Sequence, residues 1–188
     1  MGRVIAVANQ KGGVGKTTTA INIAAGLAAA ERKTLLIDGD PQGNASSGVG
    51  LQRGGEEPTS YDVLLDPNLA ELAIVRGVQF ANLDVLPSSP DLAAAEIELA
   101  AMDGREQRMR QAVDRLRPTY DYIVIDCPPS LGLITLNMLV AADTVLIPLQ
   151  CEYYALEGLS QLIGTIATIQ QGASPSLALE GVLLTMFD

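Results

Sequence analysis

Two observations in the sequence predict an α/β fold, with a mostly parallel, twisted β-sheet and helices on both faces. Short apolar runs alternate along the chain with segments whose apolar residues recur every three or four positions. Runs that are apolar throughout are typical of strands buried on both faces, as in a parallel sheet. Strands that alternate with helices are joined by crossovers, which place the helices on both faces of the sheet.

The first half of the chain shows this alternation from its start. Val4–Ala8 is an apolar run and predicts the first strand. Thr17–Ala30 predicts an amphipathic helix, and its many alanines would allow close packing on a sheet. Leu35–Ile37 predicts the next strand, and Gly48–Pro58, rich in Gly and Glu, indicates a mobile surface loop. Leu83–Leu86 predicts a further, weaker strand.

The second half continues the pattern. Leu92–Arg117 has helical spacing and could break at Gly104. Tyr122–Ile125 and Val145–Ile147 predict strands, with a helix at Thr135–Ala142 between them. The last predicted elements are a helix at Leu156–Ile169 and a strand at Val182–Leu184. That last strand would present an exposed edge, which favours aggregation unless another segment pairs with it.

Length and composition fit a single domain that spans residues 1–188. With 188 residues, 48% of them hydrophobic, the chain can bury a sizeable core. The chain has no apolar stretch of about 18 residues and no signal-peptide pattern at its start, so we expect no membrane association. Its two cysteines, Cys127 and Cys151, form no Cys-x-x-Cys pair, which predicts a cytoplasmic protein without disulfides.

Composition also excludes several classes of site. Histidine is absent, which excludes Ser-His-Asp and Cys-His nucleophilic sites and the histidine-based zinc sites of metalloproteases. A net charge of −10 argues against strong binding of polyanions by the chain as a whole. The one basic cluster alternates with acidic residues, which favours a solvated face over nucleic-acid contact. Its members are Arg105, Arg108, Arg110, Arg115 and Arg117.

A glycine-rich motif between the first strand and the first helix predicts a phosphate-binding loop. Its glycines let successive backbone N–H groups face an anion, and the dipole of the following helix adds positive potential. Lys16 is placed to reach the β- and γ-phosphates, and the Thr17 hydroxyl is placed to ligate Mg²⁺. The predicted nucleotide-binding residues are Lys11, Gly12, Gly13, Val14, Gly15, Lys16, Thr17 and Thr18.

This loop departs from the standard pattern at its start. Gln10 stands where the pattern has a glycine, and Lys11 is an extra lysine. A second lysine is costly to crowd into one phosphate site, so Lys11 is expected to point toward a nucleotide held by a second subunit. A plain glycine turn with two solvated lysines is the alternative. The strand, the loop, the Gly-Lys-Thr sequence and the helix nevertheless occur in the order that a phosphate loop requires.

Two carboxylates follow the second strand. Asp38 and Asp40 lie where that strand ends, so both can face one phosphate–metal centre. One could hold Lys16 or a metal-bound water, and the other could orient the water that attacks the γ-phosphate. A polar turn is the alternative for this segment.

A third motif begins at Asp126, which ends the apolar run Tyr122–Ile125. An aspartate at this place beside a phosphate loop is typical of a residue that assists Mg²⁺. Cys127 is expected to be a small buried residue. Pro128 and Pro129 would stiffen a segment that could sense the γ-phosphate.

Together these motifs resemble the ParA/MinD branch of P-loop ATPases. Lys11–Thr18 is similar to the deviant Walker A loop of that branch. Asp38–Asn44 narrows the resemblance to the ParA/Soj chromosome- and plasmid-partition ATPases. Further segments resemble the same family along the chain: Tyr61–Leu65, Pro87–Leu92 with Ala95–Leu99, and Gln150–Leu159.

The resemblance implies a P-loop ATPase that hydrolyses ATP with Mg²⁺, weakly alone and faster with a partner. It also implies an ATP-dependent sandwich homodimer, with Lys11 reaching the nucleotide of the second subunit and Gly12 at the seam. Asp40 would orient the attacking water. The implied catalytic residues are Lys11, Lys16 and Asp40, and the Mg²⁺ residues are Thr17, Asp38 and Asp126, the aspartates through water.

The same resemblance implies chromosome or plasmid partitioning, with a ParB-type centromere-binding partner and nonspecific DNA of the nucleoid. The chain stops at Thr185–Asp188, whereas the family continues, so a C-terminally truncated domain is expected. The family's adenine-binding loop and most of its DNA-binding surface lie in that later part. Two alternatives stay open: a MinD-like positioning ATPase at the membrane or cell pole, and a P-loop enzyme that phosphorylates or amidates a small metabolite.

Overall fold

A computed structural model describes residues 2–52, 55, 57–152 and 155–186. The strands are β1 (Arg3–Val7), β2 (Thr34–Asp38), β3 (Leu83–Leu86), β4 (Tyr122–Asp126), β5 (Thr144–Gln150) and β6 (Ala178–Thr185). The α-helices are α1 (Lys16–Ala29), α2 (Asn44–Gly48), α3 (Ser60–Leu65), α4 (Ala95–Ala100), α5 (Arg108–Leu116), α6 (Leu133–Ala141) and α7 (Ala155–Gln171). Short 3₁₀ helices cover Pro67–Leu69 and Pro90–Ala94.

The six strands form one parallel sheet in the order β3-β2-β4-β1-β5-β6. Strand β4, the fourth along the chain, therefore lies between β1 and β2. Its last residue, Asp126, is level with Val7 on one side and with Asp38 on the other. Since the strands are parallel, the segments that follow β1, β2 and β4 leave the sheet at the same edge. All six predicted strands and the parallel sheet are confirmed.

Alternate strand residues pack into two separate cores, one on each face of the sheet. Val7, Leu36 and Val124 belong to the core under α1. On the other face, Ile37 and Ile125 pack with side chains from α5, α6 and α7. The buried alanines of α1 let this helix approach the sheet closely, as the sequence predicts. Helices on both faces are therefore confirmed.

One helix prediction is confirmed and one strand prediction needs correction. The predicted break of Leu92–Arg117 at Gly104 is confirmed, because α4 ends before Gly104, α5 begins after it, and Gly104 has a φ of +65°; a 3₁₀ turn precedes α4. The strand at Val182–Leu184 is not buried on both faces, since Val182 is 42% and Leu184 is 51% exposed. The reason is that, among the described helices and strands, β5 alone makes an extensive contact with β6, so the faces of this outermost strand are left largely uncovered. The exposed edge predicted there is confirmed.

The region between β2 and β3 holds structure that the sequence patterns missed. Helices α2 and α3 are short, so neither shows a helical period, although Thr59 and Asp62 form a capping box at the start of α3. Part of the predicted mobile loop Gly48–Pro58 (Arg53, Gly54 and Glu56) lies outside the described residues. The same holds for Tyr153 and Tyr154 of the motif Gln150–Leu159 and for Phe187 and Asp188 of the tail. Among the helices that the structure describes, none is long and apolar enough to cross a membrane.

Candidate functional site

The glycine-rich loop after β1 wraps around an open cavity of about 420 Å³ at the carboxyl edge of the sheet. Gly13 and Gly15 have φ values of +76° and +86°, in the left-handed region that glycine adopts without strain. This backbone turns the loop back on itself before α1 begins at Lys16. Residues from the loop and from three other segments line the cavity: Gly12, Gly13, Gly15, Lys16, Thr17, Thr18, Asp40, Gln42, Asn44, Pro129 and Met186.

Lys16 is 6% exposed and is the cation of this cavity. Its ammonium donates a hydrogen bond to the carbonyl oxygen of Lys11, at 3.0 Å. Burial lowers the pKa of Lys16, while the nearby carboxylates of Asp126 and Asp40, with Cys127, act in the opposite direction. An anion in the cavity would replace the water that Lys16 has lost, so this lysine is prepared for phosphate.

Lys11 does not line the cavity. Its ammonium instead forms an ion pair with Glu152, just after β5, and the two side chains are 35% and 45% exposed. The backbone N–H of Lys11 donates to Asn9 Oδ1 at 3.0 Å, which holds the head of the loop. No pattern in the sequence marks Glu152 as the residue that pairs with this lysine, since the two are 141 positions apart.

Gly12 is exposed, and its glycine is not required by the chain itself. A Cβ added at this position would meet no atom of the described residues within 4 Å, and its φ is not in the left-handed region. Neither packing nor backbone strain within the monomer therefore explains a glycine here.

The structure places Asp38 and Asp40 in different surroundings. Asp38 is fully buried, and its carboxylate accepts hydrogen bonds from the backbone N–H and hydroxyl of Ser46, at 2.7 and 2.6 Å. It also accepts the N–H of Asp40, at 3.2 Å. Burial raises the pKa of Asp38, and the hydrogen bonds from Ser46 oppose that rise. Asp40 instead lines the cavity, while its carboxylate accepts the N–H of Gln42 at 2.9 Å.

Asp126 is a buried carboxylate without a hydrogen-bond partner in the described part of the chain. Thr17 is close enough to lower the pKa of Asp126, although the two side chains do not reach hydrogen-bond geometry. Burial nevertheless raises the pKa of Asp126 to about 7, and the charges of Asp38 and Asp40 add to the rise. The positive charge of Lys16 opposes this rise, but no described donor reaches the carboxylate oxygens, and a water bound to Mg²⁺ would supply one.

The acidic residues alone would not hold a metal ion. Over the residues with described positions, no group of three or more His, Cys, Asp or Glu side chains could do so. Mg²⁺ usually keeps several waters and is bound through one or two carboxylates together with substrate phosphates. Thr17, Asp126 and a nucleotide phosphate fit that kind of site.

The arginine cluster on and around α5 is largely structural. Arg108 donates to the carbonyl oxygens of Leu64 and Leu65, and Arg110 donates to that of Val140. Arg117 pairs with Asp143 at 2.8 Å. The prediction of a simply solvated face is therefore wrong for these three arginines, because they connect α5 to its neighbours. This finding supports setting the cluster aside as a nucleic-acid site.

Neither cysteine is part of a disulfide. Cys127 is 1% exposed, and burial raises the pKa of its thiol, so the prediction of a small buried residue is confirmed. Cys151 is exposed.

Comparison with known proteins connects this geometry to a family. The profile of a family described as an AAA domain matches residues 2–179. The chain is 60% identical to the chromosome partitioning protein ParA of Myxococcus xanthus, over 100% of its length. It is 52% identical to the sporulation initiation inhibitor protein Soj of Bacillus subtilis, again over 100% of its length. The chain belongs to the ParA/Soj family.

This ParA/Soj chain spans 66% of the Myxococcus relative and 74% of the Bacillus relative. A solved structure described as cobyrinic acid a,c-diamide synthase from Mycobacterium smegmatis, with bound ADP and magnesium, superimposes on it with a TM-score of 0.92. The two are 43% identical, and the match covers 100% of this chain and 76% of the solved one. The predicted P-loop NTPase architecture is thereby confirmed.

Proposed function

We propose that this ParA/Soj chain is an ATP-dependent dimerisation switch that hydrolyses ATP and acts in chromosome or plasmid partitioning. The observation that carries the ATPase part is the cavity at the glycine-rich loop, which Lys16 and Asp40 line, with the buried carboxylate of Asp126 close enough to act on the charge of Lys16. Bound ADP and magnesium in the similar Mycobacterium structure, and the names of the two relatives, support it.

ATP would bind with its β- and γ-phosphates in the loop. The backbone N–H groups of residues 12–18 and the Lys16 ammonium would hold the phosphate oxygens, and the dipole of α1 would add to the attraction. Thr17 and, through water, Asp126 would hold Mg²⁺, which when bound neutralises charge on the phosphates. Val14 contributes only backbone, because its side chain is fully buried in the core.

Hydrolysis needs a water positioned in line with the γ-phosphate. Asp40 is the carboxylate that lines the cavity, so we assign it the orientation of that water. Asp38 is turned toward Ser46, and we assign it the support of the segment that carries Asp40, with any contact to the metal made through water.

Lys11 and Gly12 support an ATP-dependent homodimer. Lys11 lies outside the loop's own cavity, so its ammonium is free to serve the nucleotide of a second subunit once the ion pair with Glu152 opens. The absence of any neighbour around Gly12 leaves space that a second subunit would fill closely. A ParB-type protein and nonspecific DNA are the partners we propose for the longer protein of this family, at the nucleoid in the cytoplasm.

The test is phosphate release from Mg-ATP without any acceptor, measured with and without duplex DNA and a ParB-type protein. We expect slow release from residues 1–188 under all these conditions, and release that rises with both additions when the longer protein is used. Lys16→Ala should abolish it, while Lys33→Ala should not, because Lys33 precedes β2 at the opposite edge of the sheet. A chain that releases no phosphate under any of these conditions would contradict the proposed ATPase.

A second candidate is ATP-dependent amidation of a small metabolite, which the name of the Mycobacterium structure favours. In that case phosphate release should depend on an amide donor and a carboxylic acceptor, and DNA should have no effect. The two candidates therefore predict opposite results in the same assay.

A further inference from the structure

Helix α6 begins six residues after Cys127, and its start lacks a side-chain cap of its own. The N-cap residue is Gly132, which has no side chain to accept the first free N–H groups of the helix. A carboxylate from a different helix takes that place. Glu96 of α4 accepts the N–H of Leu133 at 2.9 Å through Oε2 and the N–H of Ile134 at 3.2 Å through Oε1.

The contact is built closely on both sides. A Cβ at Gly132 would overlap Glu96 Oε1, so a side chain at this position would push the carboxylate away from the start of α6. A negative charge at a helix N-terminus is also favoured by the helix dipole. Within the first turn of α6, the Thr135 hydroxyl donates to the carbonyl oxygen of Ser130, which secures the residues just before the helix.

These contacts fix one end of the segment that leaves β4 and passes the nucleotide cavity. The other end is fixed by the sheet, since the N–H of Cys127 donates to the carbonyl oxygen of Val7 at 3.1 Å. Between the two ends lies Pro129, which lines the cavity. Two consecutive prolines have fixed φ angles, which limits how much of a shift at the start of α6 the segment can absorb before it reaches Pro129.

We propose that Glu96 is a positioning residue for ATP hydrolysis: by capping α6 from α4, it sets the place of residues 128–131 beside the γ-phosphate. This inference rests on the ATPase proposed above. Glu96 touches neither the loop nor Lys16, so its loss should leave ATP binding nearly intact. A displacement of about 1 Å at a reacting centre can cost up to about a hundredfold in rate.

The first test is steady-state ATP hydrolysis, with ATP affinity measured separately by calorimetry. We expect Glu96→Ala to lower kcat by about ten- to a hundredfold and to change ATP affinity by less than about twofold. Glu96→Gln should recover much of the rate, because its amide oxygen still accepts one of the two N–H groups. Glu98→Ala is the matched control: Glu98 lies on the same helix but accepts the hydroxyl of Tyr61, so its loss should leave kcat unchanged.

The second test does not depend on turnover. In hydrogen exchange, Glu96→Ala should speed exchange at the amides of residues 130–134 by about tenfold and leave α1 as it is in the unmodified chain. Unchanged exchange at residues 130–134 would overturn the inference, and so would a fall in ATP affinity as large as the fall in kcat. If exchange changes as expected but the unmodified chain hydrolyses no ATP, the capping role of Glu96 stands and the proposed ATPase fails.

Discussion

Replacing Asp126 with asparagine should stabilise the nucleotide-free chain, and more so at high pH. Burial raises the pKa of Asp126 from its ordinary 3.8 to about 7 in the folded chain. Between those two values the unfolded chain has lost this proton while the folded chain keeps it, so folded stability falls as the pH rises through that window. The loss is complete above pH 7 and absent below the ordinary pKa, where both states carry the proton.

The size of this effect follows from the two pKa values. At 1.36 kcal/mol per pH unit, it is about 2 kcal/mol at pH 5 and about 4 kcal/mol at pH 8. An asparagine does not titrate, so Asp126→Asn removes the effect at both pH values. Any free-energy cost of burying the asparagine amide is the same at both pH values. The advantage of the variant should therefore grow by about 2–3 kcal/mol from pH 5 to pH 8.

The assay is urea unfolding of both chains at pH 5 and pH 8, without nucleotide or Mg²⁺. Asp103→Asn is the control, because Asp103 is exposed and its replacement should give the same difference at both pH values. If the difference between Asp126→Asn and the native chain does not change with pH, Asp126 is not held protonated by burial and the argument is wrong. Mg-ATP should stabilise the native chain at pH 8 more than the variant, because only the native chain offers the metal a carboxylate.

The remaining predictions concern the nucleotide and the dimer. Lys16→Ala removes a charge-assisted contact, so its Mg-ATP affinity should fall by about ten- to a hundredfold while its circular dichroism spectrum stays unchanged. Unchanged affinity in calorimetry would contradict the phosphate-loop assignment. Asp40→Ala should bind ATP and dimerise normally, while its ATP turnover falls by about 10²–10⁴-fold. Normal turnover would mean that another residue orients the attacking water. Lys11→Ala and Gly12→Val should each bind ATP but remain monomers, as measured by light scattering. The first variant loses a charge needed for dimerisation, and the second adds bulk where the second subunit would approach. Residues 1–188 should bind duplex DNA poorly even with ATP, given 12 basic against 22 acidic residues. Tight, ATP-dependent binding in a titration would instead point to the arginines of α5.

Much of the fold could be predicted because its signals are local. A strand buried on both faces must be apolar at every position, and this marks β1, β2 and β4 in the sequence itself. The failures lie where neighbours in space decide the outcome. Burial of β6 depends on what covers it, and the short helix α2 is stabilised by the contact between Ser46 and Asp38 more than by any helical period.

The candidate site likewise combines features that local sequence patterns predict with features that depend on neighbours in space. Its phosphate loop was predictable because glycines with left-handed φ, a lysine and a threonine at the head of a helix are consecutive in the chain. The different surroundings of Asp38 and Asp40 could not be predicted, because two aspartates two residues apart carry the same chemistry. Only the position of Ser46, eight residues later, shows which carboxylate is turned away from the cavity.

The sequence by itself determined the parallel α/β fold, the phosphate loop and the resemblance to the ParA/Soj family, because these depend on residues close together in the chain. The tertiary structure alone decided which distant residues meet. It paired Lys11 with Glu152, 141 positions away, and placed Glu96 on the start of α6, 37 positions away. It also left Asp126 buried next to the loop with no hydrogen-bond partner among the described residues. The physical reason is that these contacts follow from the order of strands in the sheet, where β4 lies between β1 and β2, and no local pattern in the sequence encodes that order.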